Sequence, residues 1–198
     1  PRRMWAASDI LFTGDIHVGD RVTRRSRVAD ISVKHGRTGN LCFVTVDHAI
    51  SVRDVTVIND RQTIVYRGAA SAQAAPPLQS STEIGEHVER FDASAPLLFR
   101  YSALTFNSHR IHYDQQYSAD VEGYPDLVVQ GPLQATLLYH MAARLHGGAP
   151  DRFSFRGNAP LFRGDGAQLH TVSNDDGMKL WTVQDGGLIA MTAKASWS

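Results

Sequence analysis

The clearest helical pattern in the chain is Gly131-Pro-Leu-Gln-Ala-Thr-Leu-Leu-Tyr-His-Met-Ala-Ala-Arg-Leu-His-Gly-Gly148. Its apolar residues recur at the three- and four-residue spacing of an amphipathic helix. Proline lacks the N–H that a first helical turn leaves unbonded, so Gly131 and Pro132 are predicted to be the N-cap and the first helical residue. The glycines at 147 and 148 predict the end of the helix.

Strand-like segments lie on both sides of this helix. They are apolar or alternating runs separated by turn residues, as expected for antiparallel strands. The upstream runs are 16–33, 41–52 and 55–66, and the downstream runs are 153–155, 167–173 and 180–197, the last interrupted by a turn at 185–187. The sequence pattern over residues 97–106 predicts a further strand or a loop. Strands combined with a helix in this way predict the α+β class.

A change of composition divides the chain. Residues 69–82 are rich in Ala, Ser, Gln and Pro and show no periodicity, which is typical of a linker. We therefore predict an N-terminal domain at 1–68 and a C-terminal domain at 83–198. A weak internal repeat indicates that the two are related, because 15–20 and 160–165 each precede a set of strands. The first half shows no matching helix, so its repeat is predicted to be truncated or degenerate.

The bulk composition argues against several classes of function. Lys and Arg total 20 and Asp and Glu also total 20, so no overall field favours nucleic acid. No apolar run approaches the ~20 residues of a membrane span, and no pattern predicts a secretion signal. The one cysteine, Cys42, lies in an apolar run and suits a buried thiol, which favours a reducing compartment. We expect a cytoplasmic protein with no nucleic-acid or membrane partner.

The densest polar cluster is Ser102-Ala-Leu-Thr-Phe-Asn-Ser-His-Arg-Ile-His-Tyr-Asp114. A metal site would use His109, His112 and Asp114, but no motif places a third imidazole beside them. The histidines could instead hydrogen-bond loop backbone, which composition alone favours. Both alternatives stay open at this point, and neither a metal nor another cofactor is predicted.

Two stretches carry a resemblance to a known family: 99–114 (FRYSALTFNSHRIHYD) and 128–135 (VVQGPLQA). They are similar to the hydratase 2 motif of MaoC-like and (R)-specific enoyl-CoA hydratases. The resemblance implies a double hotdog fold, in which antiparallel sheet wraps a central helix. The hexapeptide Ser102-Ala-Leu-Thr-Phe-Asn107 resembles the subgroup of mitochondrial-type 3-hydroxyacyl-thioester dehydratases and 3-methylfumaryl-CoA (mesaconyl-C4-CoA) hydratases. Residues 1–6 and 18–46 resemble the N-terminal half of the latter.

The resemblance implies roles for individual residues. The family's catalytic His falls on His112, but its Asp position, five residues earlier, holds Asn107. The family's frequent Asn-Pro pair is replaced by His109-Arg110. A carboxamide cannot transfer protons, so Asn107 is expected to orient water or the substrate carbonyl while His112 carries more of the proton transfer. Gly131 is expected to donate its N–H to the thioester oxygen, although a plain helix cap is equally compatible.

Four polar residues in or beside these stretches are predicted to bind substrate. Arg100 and Arg110 offer guanidinium forks for a second carboxylate or for a phosphate of coenzyme A. Ser108 and Gln130 are the other two candidates. Asp114 is the nearest carboxyl in sequence, and the motif leaves open whether it assists the reaction.

The resemblance implies a hydro-lyase that adds water across the double bond of an enoyl-CoA. The expected reaction is 3-methylfumaryl-CoA (mesaconyl-C4-CoA) to citramalyl-CoA, with an acyl-CoA thioester as the partner and a homodimer as the assembly. A (3R)-hydroxyacyl-thioester dehydratase of fatty-acid metabolism, a non-catalytic acyl-CoA-binding module and a thioesterase stay open as alternatives, because the fold alone does not fix the reaction.

Overall fold

The computed structural model describes residues 2–36, 39–67, 80 and 83–198. The strands within these ranges are β1 (Arg2–Phe12), β2 (Val22–Gly36), β3 (Gly39–Val52), β4 (Val55–Arg67), β5 (His87–Arg90), β6 (Arg152–Gly157), β7 (Gln168–Asn174), β8 (Gly177–Val183) and β9 (Ile189–Ser196). The helices are α1 (Ala95–Leu104), α2 (Gln115–Asp120) and α3 (Gly131–His146), with a 3₁₀ turn at Arg110–His112. The predicted α+β class is confirmed.

The chain divides into two compact units. Unit 1 comprises 1–77, 150–156 and 194–198, and unit 2 comprises 78–149 and 157–193. Most of the predicted linker lies outside the described residues. The domain boundaries drawn from the sequence stay a prediction.

Unit 1 is an antiparallel sheet in the order β2-β3-β4-β1-β6. Strands β3 and β4 are joined at Arg53 and Asp54, whose φ angles are both positive, 49° and 65°. Two successive positive φ angles give the tight hairpin turn whose twist matches that of the strands it connects. Among the described residues of unit 1 there is no helix, in line with the prediction for the first repeat.

Unit 2 places α3 against a sheet whose strands follow the order β9-β8-β7-β5. The buried residues of α3 are Leu133, Gln134, Ala135, Leu138, Met141 and Ala142. A polar contact also joins α3 to β8: the buried Thr182 hydroxyl donates to Gln134 Oε1 at 2.7 Å. The apolar face of α3, together with α1, forms the core around which the candidate site is built.

The helix predicted at 131–148 is confirmed with a shift of one residue at its start. The N-cap is Gln130, and Gly131 is the first helical residue. Gly147 follows the last turn with a φ of 90°, a left-handed conformation that glycine adopts without steric cost and that ends the helix.

The prediction of a strand or a loop at 97–106 is wrong, because most of these residues lie in α1. A proline in the first turn fixes a helical φ angle, and Leu98 and Ser102, four residues apart, are buried on one face of the helix. Short apolar runs fit a strand or a buried helix equally well until their packing partner is known. The sequence pattern likewise gives no signal for β1, and it starts β2 six residues too early.

No helix in the described ranges is both long enough and apolar enough to cross a membrane.

The core of unit 2 predicts a large difference between two leucine truncations. Leu138 on α3 is completely buried (0% exposed), so Leu138→Ala should lower the free energy of unfolding by about 3 kcal/mol through lost burial and a residual cavity. Leu104 at the end of α1 is 80% exposed, so Leu104→Ala should cost less than about 0.5 kcal/mol. Urea unfolding measures both, and similar losses would contradict this packing.

Candidate active site

The His112 side chain is held in one tautomer. It lies in the 3₁₀ turn with only 8% of its surface exposed, and its Nδ1 is 2.7 Å from the Val128 carbonyl oxygen. A carbonyl only accepts hydrogen bonds, so Nδ1 carries the proton and Nε2 carries the lone pair. The imidazole is therefore ready to accept a proton at Nε2.

Burial also keeps this imidazole neutral. It lowers the pKa of His112 to about 4; the hydrogen bond to the Val128 carbonyl acts in the opposite direction, and nearby His109 lowers the pKa further. The two histidine rings meet edge to face with their centroids 5.6 Å apart. A neutral ring at physiological pH has the protonation state that a general base requires.

Asn107 lies just after α1, at a sharp turn. Phe106 has a φ of 52°, and the Asn107 N–H donates to the Ser102 carbonyl oxygen at 2.9 Å. The Asn107 Oδ1 accepts from the backbone N–H of His109 at 3.2 Å. Since the amide oxygen is engaged within the loop, the Nδ2 group is the part of this side chain that can donate to a ligand.

The Gly131 N–H lies at the start of α3. Within the described part of the chain no group accepts from it, as expected in a first turn whose N-cap side chain does not cap. An added Cβ at Gly131 would meet only Met191 Cε, at 3.7 Å, which is an ordinary contact. Neither packing nor a positive φ angle therefore requires glycine, which leaves close approach of a ligand as a reason for it.

These groups lie near one another along the chain. Val128, which binds His112, precedes Gly131 by three residues, and three residues of extended chain span at most about 10 Å. The Val128 N–H also donates to the Ile111 carbonyl oxygen at 2.9 Å, so Val128 is bound both to the histidine and to the residue before it. The structure thus brings His112 together with the segment that leads into α3.

The other predicted residues differ in position. Gln130 is completely buried, and its Nε2 donates to Leu98 O and Ser102 Oγ. Arg100 is exposed on the outer face of α1 and shows no ion pair with any described residue. Ser108 is exposed and makes its contact through its carbonyl oxygen. Neither exposed residue is brought to His112 by a described contact.

The Arg110 guanidinium is already bound within the chain. It donates from Nη2 (2.6 Å) and Nε (3.0 Å) to Asp114 Oδ2, and it stacks on the Tyr117 ring 4.2 Å from the centroid. The Tyr117 N–H and then Arg110 hold the pKa of Asp114 below its usual value. Asp114 is thus a helix cap and an ion-pair partner, an arrangement that does not suit a group exchanging protons near neutrality.

Metal-ligating residues do not cluster here. In the ranges that the structure describes, no three His, Cys, Asp or Glu side chains are arranged to hold a metal ion.

Two residues of the site lack a direct sequence signal. Val128 acts through its carbonyl oxygen, which any residue would supply, so its side chain gives no indication. Ser102 lies in the motif, five residues before Asn107, but the motif does not indicate its contact with Gln130. That contact depends on how α1 packs.

Comparison with known proteins identifies the family. A profile described as hydroxyacyl-thioester dehydratase type 2 matches residues 1–163. The mesaconyl-C(4)-CoA hydratase of Chloroflexus aurantiacus is 40% identical over 195 residues, which are 98% of this chain and 69% of that protein. The chain belongs to the hydroxyacyl-thioester dehydratase type 2 family. It is a hydro-lyase, an enzyme of the hydratase and dehydratase class.

Solved structures identify the fold of this hydroxyacyl-thioester dehydratase type 2 member. HtdX of Mycobacterium tuberculosis has a TM-score of 0.79 at 22% identity, over 99% of this chain and 77% of that one. A second M. tuberculosis protein, described as a double hotdog, has a TM-score of 0.56 at 16% identity, over 98% of this chain and 75% of that one. At such identities the likeness concerns the fold alone. The predicted double hotdog is confirmed.

The lowered pKa of His112 predicts how stability depends on pH. The unfolded chain takes up a proton on this ring near pH 6.5, whereas the folded chain excludes it down to about 4. The contribution of the neutral His112 ring to the free energy of unfolding is therefore complete above about pH 6.5, and it is lost as pH falls towards about 4. From about pH 7 to about pH 5, wild type should lose about 1–2 kcal/mol more unfolding free energy than His112→Gln in urea titrations. Equal losses in the two proteins would contradict the assignment.

Proposed function

We propose that this hydro-lyase hydrates an enoyl thioester of coenzyme A, with mesaconyl-C4-CoA as substrate and citramalyl-CoA as product. The observation that carries the reaction is the buried, neutral His112 ring, whose Nε2 lone pair is left for a proton while Nδ1 is fixed on Val128. The 40% identity to the Chloroflexus aurantiacus hydratase supports the acyl group.

The proposed mechanism divides the work between three groups. His112 Nε2 removes a proton from water, and the resulting hydroxyl adds to the β-carbon of the enoyl thioester. Negative charge then grows on the thioester oxygen, where the Gly131 N–H at the positive end of α3 stabilises it. The α-carbon takes up the proton from His112, so the ring returns to its neutral form and one water has been added. The Asn107 Nδ2 group orients the water.

The Asn107 carboxamide cannot transfer a proton, so His112 is the one side chain that transfers protons in this scheme. The nearest carboxyl in sequence, Asp114, has a lowered pKa and is bound by Arg110 and the Tyr117 N–H. A single imidazole is sufficient when both transfers occur on the same face of the double bond. The same site run in reverse is a dehydratase of 3-hydroxyacyl thioesters, which the family description favours as the second candidate.

The test uses wild type and His112→Ala with crotonyl-, fumaryl- and mesaconyl-C4-CoA, following loss of the enoyl-thioester ultraviolet absorbance. Turnover of the dicarboxylic thioesters, reduced by at least about 100-fold in His112→Ala with acyl-CoA affinity retained, is expected. For wild type, kcat/KM should stay level from neutral pH downward and fall only as pH approaches about 4, because the free ring must be neutral. Absence of turnover with every enoyl thioester and every 3-hydroxyacyl thioester would leave a binding module as the function.

Gly131→Ala tests the helix start separately. The new methyl group meets only Met191, so the free energy of unfolding should stay unchanged or rise by up to about 1 kcal/mol. The same methyl group stands beside the N–H that the thioester oxygen must reach, so kcat/KM should fall at least about tenfold. Urea unfolding and the absorbance assay measure the two effects, and full activity in this variant would exclude the N–H as an oxyanion donor.

A cytoplasmic location, an acyl-CoA partner without nucleic acid, and a homodimer complete the proposal. The reducing cytoplasm is supported by Cys42, a half-buried free thiol. The dimer is testable by sedimentation of the purified chain.

A further inference from the structure

The Gln130 side chain joins the start of α3 to α1 through two hydrogen bonds. It is completely buried, and its Nε2 donates to the Leu98 carbonyl oxygen at 2.8 Å and to the Ser102 hydroxyl at 3.0 Å. A polar N-cap residue commonly uses its side chain on the first turn of its own helix, but Gln130 does not. The side chain instead reaches a segment about thirty residues earlier in the chain.

This contact acts on both sides of the candidate active site. Gln130 directly precedes Gly131, so whatever fixes Gln130 also fixes the first N–H of α3. On the other side, the Ser102 carbonyl oxygen accepts from the Asn107 N–H at 2.9 Å. The turn of α1 that Gln130 holds is therefore the one from which Asn107 extends.

A second link joins the same two segments at another point. His112 Nδ1 donates to Val128 O at 2.7 Å, two residues before Gln130. One link between two segments leaves a hinge, whereas two links at separate points fix both their distance and their angle. The segment that carries Asn107 and His112 is thus held against the start of α3 at two places.

Stability alone does not account for the glutamine. Its Oε1 is buried and finds no hydrogen-bond partner among the described residues, and an unpaired buried oxygen is destabilising. An apolar side chain of similar length would avoid this loss. Compared with such a side chain, glutamine adds the two hydrogen bonds donated by Nε2. These bonds fix the position of the start of α3 relative to α1.

We propose that Gln130 is a positioning residue that sets the Gly131 N–H relative to His112. This inference rests on the proposed function, because it assigns the N–H and the imidazole to one reaction. A misplacement of about 1 Å between reacting groups is enough to cost about 100-fold in rate. The effect should fall on kcat, since the oxyanion contact strengthens in the transition state.

The experiment compares Gln130→Met with Gln134→Met. Gln134 is a matched control: it lies one turn further along α3, is 3% exposed, and its side chain accepts a hydrogen bond from Thr182 at 2.7 Å. Both variants exchange a buried carboxamide for an unbranched apolar side chain of similar length. Gln130→Glu is added as a third variant, because a carboxylate cannot donate to the Leu98 carbonyl.

The expected result is a fall in kcat of about 10- to 100-fold in Gln130→Met, with KM changed less than about threefold. Gln134→Met should keep kcat within about threefold of wild type even where it lowers the melting temperature. An unchanged kcat in Gln130→Met, or an equal fall in both variants, would overturn the inference.

A nuclear magnetic resonance measurement separates this inference from the proposed function. The Gly131 amide signal and the His112 ring signals should shift in Gln130→Met and Gln130→Glu, and stay in place in Gln134→Met. If wild type hydrates no thioester, the proposed function fails and these signals alone decide the positioning role. Signals that stay in place in all three variants would overturn it, whether or not the wild type is active.

Discussion

A single hydrogen bond, from the His112 Nδ1–H to the Val128 carbonyl oxygen, sets both the chemistry and the geometry of the candidate active site. It fixes the tautomer, so the lone pair lies on Nε2. It also joins the loop after α1 to the residues that lead into α3, because Val128 is three positions from Gly131. Without this bond the imidazole could rotate and would lose its fixed position relative to the start of α3.

The protonation state follows from what surrounds the ring. In an imidazole–carboxylate pair the negative charge favours the protonated ring and raises the pKa. No carboxylate is among the described groups that act on His112, so burial lowers the pKa of the ring to about 4 without such opposition. The ring is therefore neutral at physiological pH, and it binds a proton more weakly than a free imidazole does.

Residues that look alike in the sequence have different roles in the structure. Arg100 and Arg110 both border the motif, but Arg110 closes an ion pair across one turn to Asp114 while Arg100 faces outward from α1. Gln130 and Gln134 lie one turn apart, yet one joins the start of α3 to α1 and the other joins α3 to its sheet. For the two glutamines the difference arises from which element packs against each side chain, and that element is distant in the chain.

Features that depend on near neighbours in the chain could be predicted from the amino-acid pattern. The period of the apolar residues and the flanking glycines define α3 within one residue, and the turn at 185–187 interrupts the last strands as predicted. The family that the motif residues indicated is the one that the profile match shows, and the roles of His112 and Gly131 stay predictions from that resemblance. Helix α1 is the counterexample, because the same apolar run satisfies a strand pattern until Leu98 and Ser102 find the core.

Other features of the site became visible only in the folded chain. The tautomer of His112 depends on a carbonyl sixteen residues away, and its low pKa depends on burial. The contact of Gln130 with α1 spans about thirty residues, and nothing in its own neighbourhood distinguishes it from a helix cap. Local spacing fixes what a residue can do, whereas burial and long-range partners fix what it does, because hydrogen bonding and desolvation are set by atoms brought near only in the folded chain.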